Sequence, residues 1–501
     1  MVWQKNGTPD TLTSSGDALA ISDMTANKVT QYLLHKIPIG GQAECEFQFN
    51  NNGNSVYAKR TSANGGNDFT SINQTNISLD ISGSNDEFII FYQASIPGQE
   101  KLSISHLVNR NSAGAGSPPH RLEDVHKFVP SPDADITSVD VDNSFAGSYD
   151  VDTNLSALAD VVPTPVAVGG WVEIGRTTLG VAGDTITVSS LADKRYYMVL
   201  QSITRSGGLS PDGTRLGNGS ADSGNNYATR YSNNGTNDIP NTGNNQGIDY
   251  TPSVVNDDSF AVQYISNLSD KEKVWHKFRI GRQSTGAVTA PNRSINAAKW
   301  ANTSNPLDVF QTTNVADVGN YESGSEAVVL AWDPTDTHTN NFWEELASVE
   351  LTSSGDNLTT GTITAKKYLW IQTFSKSDGG GNTSGRITFN DDTASNYGAR
   401  YSDNGTADLT SVGRSDIFNN PLTSTTNVYA NYFVINNLAD EKLVIINTVF
   451  QNTAGAGTAP GRVEVAAKWA NTTEQITKID FDNGDGGDFA GGTFLKVWGG
   501  N

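Results

Sequence analysis

The sequence predicts an all-β protein made of three tandem antiparallel β-sandwich domains that are jelly-roll-like. The first observation is a segment that occurs three times, in which Arg60, Arg230 and Arg400 recur at a constant spacing of 170 residues. The second is that each copy ends in Asn-Gly, which is typical of a tight β-hairpin turn. The third is that short segments alternate apolar and polar residues, without the period of a helix.

The repeat also predicts where the domains begin and end. A chain of 501 residues holds two to four domains of ordinary size, and the repeat selects three. We predict a divergent first repeat over residues 1–160, a second over 166–333 and a third over 340–501. The size and strand number of each unit favour a jelly roll or another Greek-key sandwich, since an immunoglobulin-like sandwich is smaller, near ~100 residues.

The strand candidates follow the same order in each unit. In the first unit, the alternation over residues 45–49 places Cys45, Phe47 and Phe49 on one face of a strand. Other apolar segments that predict strands are 18–22, 32–37, 88–92 and 101–108 in the first unit, 183–188, 195–200 and 260–265 in the second, and 367–372 in the third. The later two units each end in a Gly-rich turn followed by a strand, over 319–330 and 487–498.

Composition excludes several classes of function. The net charge of −21 repels phosphate backbones, and no basic patch offsets it, so we predict no nucleic-acid binding. No segment has the ~18 apolar residues that a membrane span needs, and the N-terminus lacks the pattern of a secretory signal, so we expect folding in a cytoplasm and no membrane insertion. The single cysteine, Cys45, predicts a small buried core residue and no intrachain disulfide.

The repeated hairpin contains two charged residues of opposite sign. Asp68, Asp238 and Asp408 each follow their arginine by eight residues, across the turn. A cross-hairpin ion pair that braces the turn explains why both residues recur, and we favour this structural role. The alternative is a guanidinium that faces a ligand beside a tyrosine, as in sugar or carboxylate sites.

Two acidic segments are candidates for a calcium site. Asp140 and Asp142 lie on one face of a predicted strand, and so do Asp480 and Asp482, with Asp485 in the turn beyond. Hard cations such as Ca²⁺ prefer oxygen ligands of this kind, but the spacing is not that of an EF-hand loop. We therefore favour solvated surface acids and predict no cofactor, with Ca²⁺ at these residues as the alternative.

No catalytic motif emerges from the remaining residues. The histidines form no zinc-type pair, and His106, in the middle of a predicted strand, is assigned a structural role. No Gly-x-Ser-x-Gly elbow lies between a strand and a helix, and the glycines at 379–381 are not followed by the lysine and serine of a P-loop. We assign no catalytic residue and predict a protein that is not an enzyme.

The ends of the units carry a resemblance. Ile476-Thr-Lys-Ile479, an acidic turn and Gly487-Asp-Phe-Ala-Gly-Gly492 precede a short apolar strand, and Ile136-Thr-Ser-Val139 with Phe145-Ala-Gly-Ser148 is similar. This pattern resembles repeats in virion surface proteins of tailed, marine-type bacteriophages, such as tail fibre and capsid-decorating proteins. The resemblance implies a structural or adhesive role, frequent trimeric association and no catalytic residues.

Together these patterns predict a non-enzymatic viral structural protein on the virion surface, assembled in the host cytoplasm and mediating host attachment. The expected partners are other virion proteins, further copies of the chain with a trimer favoured, and a host surface glycan. One alternative is a carbohydrate-binding or adhesive cell-surface module array, which would normally carry a signal or anchor. The weakest alternative is a glycan depolymerase, which predicts paired carboxylates in a groove.

Overall fold

A computed structural model describes residues 2–79, 83–130, 134–161, 169–206, 212–249, 258–315, 319–420 and 426–501. All regular structure in these ranges is β-strand, and every strand pairing is antiparallel. The predicted all-β class with antiparallel sandwiches is therefore confirmed. Within the same ranges, no helix has the length and apolar character that a membrane crossing requires.

The strands fall into three successive groups, one for each domain. The first domain contains β1 (Val2–Lys5), β2 (Asp10–Thr11), β3 (Ala18–Ile21), β4 (Val29–Lys36), β5 (Pro38–Ile39), β6 (Cys45–Phe49), β7 (Tyr57–Ala63), β8 (Phe69–Gln74), β9 (Ile77–Leu79), β10 (Glu87–Ala94), β11 (Lys101–Asn109), β12 (His120–Phe128), β13 (Val139–Asp142), β14 (Ser148–Tyr149) and β15 (Asn154–Val161). The second contains β16 (Val172–Thr178), β17 (Thr185–Val188), β18 (Tyr196–Ile203), β19 (Arg205–Ser206), β20 (Asp212–Asn218), β21 (Ser220–Ala221), β22 (Tyr227–Asn233), β23 (Ile239–Asn244), β24 (Gly247–Asp249), β25 (Ser259–Ser266), β26 (Lys273–Gly281), β27 (Asn292–Trp300), β28 (Val309–Asn314), β29 (Asn320–Tyr321) and β30 (Glu326–Trp332). The third contains β31 (Glu344–Glu350), β32 (Asn357–Thr359), β33 (Tyr368–Ser375), β34 (Gly385–Phe389), β35 (Tyr397–Asp403), β36 (Leu409–Arg414), β37 (Ile417–Phe418), β38 (Val428–Ile435), β39 (Lys442–Phe450), β40 (Gly461–Trp469), β41 (Ile479–Asn483) and β42 (Phe494–Gly500).

Each domain has the same large sheet. Its strand order is β1-β15-β4-β10-β11-β12-β7-β8 in the first domain, β16-β30-β18-β25-β26-β27-β22-β23 in the second and β31-β42-β33-β38-β39-β40-β35-β36 in the third. Identical order in three domains agrees with a duplicated unit. The predicted start of the second unit, residue 166, lies outside the described residues.

A smaller sheet completes each sandwich. Its order is β3-β13-β6-β9 in the first domain and β32-β41-β34-β37 in the third, while β17, β28, β20 and β24 pair in the second. The alternation predicted for residues 45–49 is present in β6, where Cys45, Phe47 and Phe49 are buried and the residues between them are half-buried. The first domain therefore has its own core between its two sheets, as do the second and third.

The central strands of the large sheets do not show this alternation, because both of their faces are buried. Every residue of β11, β26 and β39 is buried. One face packs into the sandwich of its own domain, and the other joins a fourth core to which all three domains contribute. That shared core includes Trp3, Trp171 and Trp343, which lie just before or within the first strand of each domain. The three domains are thus packed together around a common apolar centre.

Candidate functional site at the pseudo-threefold axis

The domains contact one another through equivalent arginine–aspartate pairs. In each pair an arginine Nε and Nη2 donate to the two oxygens of an aspartate in another domain. The N···O distances are 2.9 and 2.6 Å for Arg121–Asp238, 2.9 and 2.6 Å for Arg293–Asp408, and 2.9 and 2.8 Å for Arg462–Asp68. The first domain thus binds the second, the second the third, and the third the first. We call these six residues the ring.

The repeated hairpin explains why the aspartates are so placed. In the first domain, Asn64 and Gly65 have φ of 50° and 67°, as the predicted Asn-Gly turn requires. A side-chain carbon on Gly65 would overlap the Asp238 carboxylate of the second domain. Gly235 and Gly405 have the same relationship to Asp408 and Asp68. Glycine at this position therefore allows the turn conformation, and its lack of a side chain allows the neighbouring domain to approach closely.

The predicted ion pair within the hairpin is present in the first domain but is not the main contact. Arg60 Nη1 lies 3.8 Å from Asp68 Oδ2, whereas Arg462 contacts both Asp68 oxygens at shorter distances. Arg60 instead donates from Nε to a proline carbonyl of another domain. The three equivalent bonds are Arg60 to Pro460 at 2.9 Å, Arg230 to Pro119 at 2.8 Å and Arg400 to Pro291 at 2.9 Å.

Sequence reasoning missed the three arginines that bind the aspartates. A signal was available, because each arginine ends a Pro-x-Arg triplet, at residues 119–121, 291–293 and 460–462. The proline supplies the carbonyl that the hairpin arginine binds, and Arg121, Arg293 and Arg462 bind the aspartate of the same hairpin. The triplet and the hairpin together form one two-point contact between neighbouring domains.

A second set of charged residues holds the loop that precedes each triplet. Glu100, Glu272 and Glu441 accept from the backbone N–H of Gly455, Gly114 and Gly286, each at 2.5 Å. Buried lysine ammonium groups donate to carbonyls of the same loops, with the equivalent contacts Lys127 to Gln451 at 3.3 Å, Lys299 to Arg110 at 3.0 Å and Lys468 to Arg282 at 3.2 Å. Each loop is therefore bound by the domain that follows it in the cycle.

Beyond the ring arginines, three further equivalent positions line the axis. They hold Glu123, Ile295 and Glu464, two residues after each arginine, and a polar cavity of about 30 Å³ adjoins them. Glu123 accepts from Arg121 Nη1 at 2.9 Å, and Glu464 accepts from Arg293 Nη1 at 2.6 Å. Burial alone would raise the pKa of Glu464, but the Arg462 and Arg293 guanidinium groups hold it below its usual value.

Two buried histidines contact Glu123. His106 Nδ1 lies 2.5 Å from Glu123 Oε2, and His276 Nε2, from the second domain, lies 3.0 Å from Glu123 Oε1. Burial would raise the pKa of Glu123, but the two imidazoles hold it well below its usual range. Among the described residues, these three form the one group of His, Cys, Asp or Glu whose potential ligand atoms lie within 4.8 Å of one another. Within the described residues, these three side chains are therefore the candidates for a metal site.

The acidic residues proposed for calcium lie on the small sheets. Burial raises the pKa of Asp140, Asp142 and Asp482, and a neighbouring carboxylate adds to the effect at each. Lys478 Nζ lies 3.4 Å from Asp480, and Asp485 is exposed in a turn. The structure does not bring three of these carboxylates within 4.8 Å of one another in the described ranges.

The hairpins also expose apolar side chains around the axis. Phe69, Ile239 and Leu409 directly follow the ring aspartates and are 50%, 45% and 54% exposed. They lie at equivalent positions at the start of the edge strands β8, β23 and β36. We call these three residues the apolar triad. The recurrent tryptophans Trp300 and Trp469, by contrast, are buried in the domain cores.

Comparisons with known proteins add only distant likenesses. No protein-family model matches the chain, and no curated protein matches it. Among solved structures, the LG1-3 region of the laminin alpha2 chain is 9% identical and has a TM-score of 0.14, with 97% of this chain and 95% of that chain covered. Domains LG4-5 of the mouse laminin alpha1 chain are 10% identical and have a TM-score of 0.15, with 67% and 90% covered. Scores this low carry no functional argument.

Proposed function

We propose that this chain is a non-enzymatic structural protein of a virion surface, either a tail fibre or other appendage subunit or a capsid-decorating subunit. The observation that supports this proposal best is the cyclic repetition of the Arg–Asp contacts. They join the first domain to the second, the second to the third and the third to the first. One chain thereby supplies a closed threefold arrangement that other proteins obtain by association of three chains. Such a block suits a threefold position in a larger symmetric particle.

The interior supports a mechanical role for the block. Domains of one chain move relative to each other unless their interface is large and hydrophobic. Here the shared core contains aromatic residues from all three domains, and Trp3 packs against Trp370 with ring centroids 4.4 Å apart. Tyr92 and Tyr264, from different domains, share a hydroxyl–hydroxyl bond of 2.6 Å. We infer that the three domains behave as one rigid body.

The apolar triad supports contact with another virion protein. Single exposed apolar residues are ordinary on a protein surface, and recurrence is what distinguishes these. Phe69, Ile239 and Leu409 differ in identity, yet all three are large, apolar and about half exposed at equivalent positions. We infer that a partner with threefold symmetry binds the face of the ring. The homotrimer that the resemblance implies needs a separate test, because the observed threefold arrangement lies within one chain.

Immunogold electron microscopy of purified particles tests the proposal. An antibody against the chain should label discrete sites on the virion. A triple variant, Phe69→Ser, Ile239→Ser and Leu409→Ser, should be incorporated less than the native chain, whereas Val181→Ser, which changes a residue 77% exposed outside the triad, should be incorporated normally. A chain that stays in the soluble fraction and never labels particles would contradict the proposal.

Host attachment is the finer part of the proposal. It predicts that the purified chain binds host cells through a surface glycan and competes with particle adsorption. As a non-enzymatic protein, the chain should release no reducing ends from host glycans during this binding. Detection of saccharide cleavage would instead support the depolymerase alternative, and binding with no virion location would support the adhesive module array.

A further inference from the structure

The cluster formed by His106, Glu123 and His276 has the ligand set of a zinc site. His106 and Glu123 come from adjacent strands β11 and β12 of the first domain, where they are directly paired. His276 comes from β26 of the second domain. All three are buried. Two imidazoles and one carboxylate form a ligand combination that zinc commonly binds.

The spacing within the cluster is close to that of a coordinated ion. Tetrahedral zinc with bonds of about 2.0–2.2 Å places its ligand atoms on the order of 3.3 Å apart. The nitrogen–oxygen distances are 2.5 Å for His106–Glu123 and 3.0 Å for His276–Glu123. The three ligand atoms all lie within 4.8 Å of one another, so shifts of no more than about 1.5 Å bring them to this spacing.

The arrangement leaves room for one more ligand. A cavity of about 10 Å³ borders His106, Glu123 and Asn447. Its volume is about that of one water-sized probe, which leaves space beside the three side chains for a fourth ligand.

The ligand set occurs once among the three equivalent sets of positions. In the strand register, His106 corresponds to Phe278 and Asn447, and His276 corresponds to Ile104 and Ile445. The site is therefore an asymmetric addition to a symmetric interior, between the first and second domains. Because phenylalanine, asparagine and isoleucine fill the equivalent positions elsewhere, histidine is not needed for the packing of this layer.

We propose that His106 Nδ1, His276 Nε2 and the Glu123 carboxylate bind one Zn²⁺ per chain. Arg121, which donates to Glu123 Oε1, holds the carboxylate in position. Each imidazole carries its proton on the nitrogen that faces away from the metal. The ion joins the first domain to the second. This proposal depends on the geometry of the cluster and not on a virion location.

Metal analysis of the full chain tests the proposal. The chain is produced in zinc-supplemented medium, passed through a desalting column, and its zinc content measured by mass spectrometry. The variant His106→Asn with His276→Ile carries residues that the chain itself uses at equivalent positions, so its packing is expected to survive. The control is His120→Asn, since Asn292 at the equivalent position makes the same kind of contact to a turn asparagine.

We expect about one zinc per chain in the native protein and in His120→Asn, and at least a tenfold loss in the double variant. Cobalt replacement should give the visible absorption of a tetrahedral site. A native chain refolded in excess zinc that keeps none, or a double variant that keeps a full equivalent, would overturn the proposal. If near-ultraviolet circular dichroism shows that the double variant is unfolded, Glu123→Gln, which keeps the side-chain shape, must show the loss of zinc instead.

Discussion

Arg462 donates two hydrogen bonds to Asp68, although 394 residues separate them in the sequence. The equivalent contacts, Arg121–Asp238 and Arg293–Asp408, join consecutive domains. The Arg462 contact differs because it brings the third domain back to the first. The first and third domains also meet at Val2 and Glu344, which pair between β1 and β31. The Arg462–Asp68 contact therefore closes an arrangement that the linkers alone would leave open.

Arg462→Ala should destabilise the folded chain by about 3 kcal/mol, since it leaves the buried Asp68 carboxylate with only the longer contact to Arg60 and removes one of the two guanidinium partners of Glu464. Denaturant unfolding measures this difference. The control is Lys271→Ala, which removes an ion pair to Asp270, whose side chain is 65% exposed, and should change stability by no more than about 0.5 kcal/mol. Equal effects of the two substitutions would show that the ring does not hold the domains together.

Gly65→Ala should lower the free energy of unfolding by more than its backbone conformation alone explains. Its φ of 67° already disfavours alanine, by about 1–2 kcal/mol, and the added carbon would also overlap the Asp238 carboxylate. Gly114→Ala is the matched control, because its φ is 81° and no atom lies within 4 Å of the added carbon. Thermal unfolding should show an excess loss of at least about 1 kcal/mol at Gly65. Similar losses at both positions would mean that Asp238 can move away without cost.

The sequence predicted the features that depend on local pattern and repetition. The three units, the Asn-Gly turns and the alternation of Cys45, Phe47 and Phe49 are all written in short segments, and they are present. The partner of Asp68 was not predictable in this way. It lies in another unit, so no spacing within the hairpin identifies it, and only the recurring Pro-x-Arg triplet pointed to Arg462.

The shared core was also not predictable from the alternation of apolar and polar residues. A strand that is buried on both faces lacks the alternation that reveals a strand with one exposed face. Lys101 and Ser105 of β11 are buried, for example, although their chemistry suggests exposure. The cluster of His106, Glu123 and His276 was not predicted for a related reason. His106 and His276 lie in different units, and only the packing of the domains brings both to Glu123.

Stability should fall as the pH drops below about 6.5, the ordinary pKa of histidine. Burial lowers the pKa of His35 and His126 well below that value, so only the unfolded chain gains these protons. Each contributes stability that is present above pH ~6.5 and is lost by up to about 1.4 kcal/mol per pH unit below it. Denaturant unfolding at pH 7.5 and 5.5 measures the sum.

A substitution at His126 measures how much this residue contributes to the pH dependence of stability. His126→Ala introduces the residue found at the equivalent positions 298 and 467, and should flatten the acid slope. Asp124 acts in the opposite direction, because burial raises its pKa to about 6 and its stabilising protonated form is lost as the pH rises through that value. Asp124→Asn should therefore steepen the acid slope. An unchanged slope in both variants would place the titration elsewhere.

Calcium should not stabilise the chain through the acidic segments. A ligand present at a hundred times its dissociation constant adds about 2.7 kcal/mol to the free energy of unfolding. The turns beyond Asp142 and Asp482 are instead held by Asn143 and Asn483, whose side chains donate to the carbonyls of residues 147 and 487. Thermal unfolding with Ca²⁺ or with a chelator should give equal midpoints. A higher midpoint with Ca²⁺ that Asp482→Asn abolishes would establish the calcium site.

Light scattering of the purified chain distinguishes two uses of threefold symmetry. The ring occupies the Arg–Asp face of every domain within one chain, so that face is not available to join separate chains. We therefore expect the mass of a single chain at micromolar concentration, and the same mass for the variant with serine at Phe69, Ile239 and Leu409. A mass of three chains would support the homotrimer that the resemblance implies, and would require contacts on the outer sides of the domains. A mass of two chains that reverts to one in the serine variant would instead show that the apolar triad pairs face to face with a second copy.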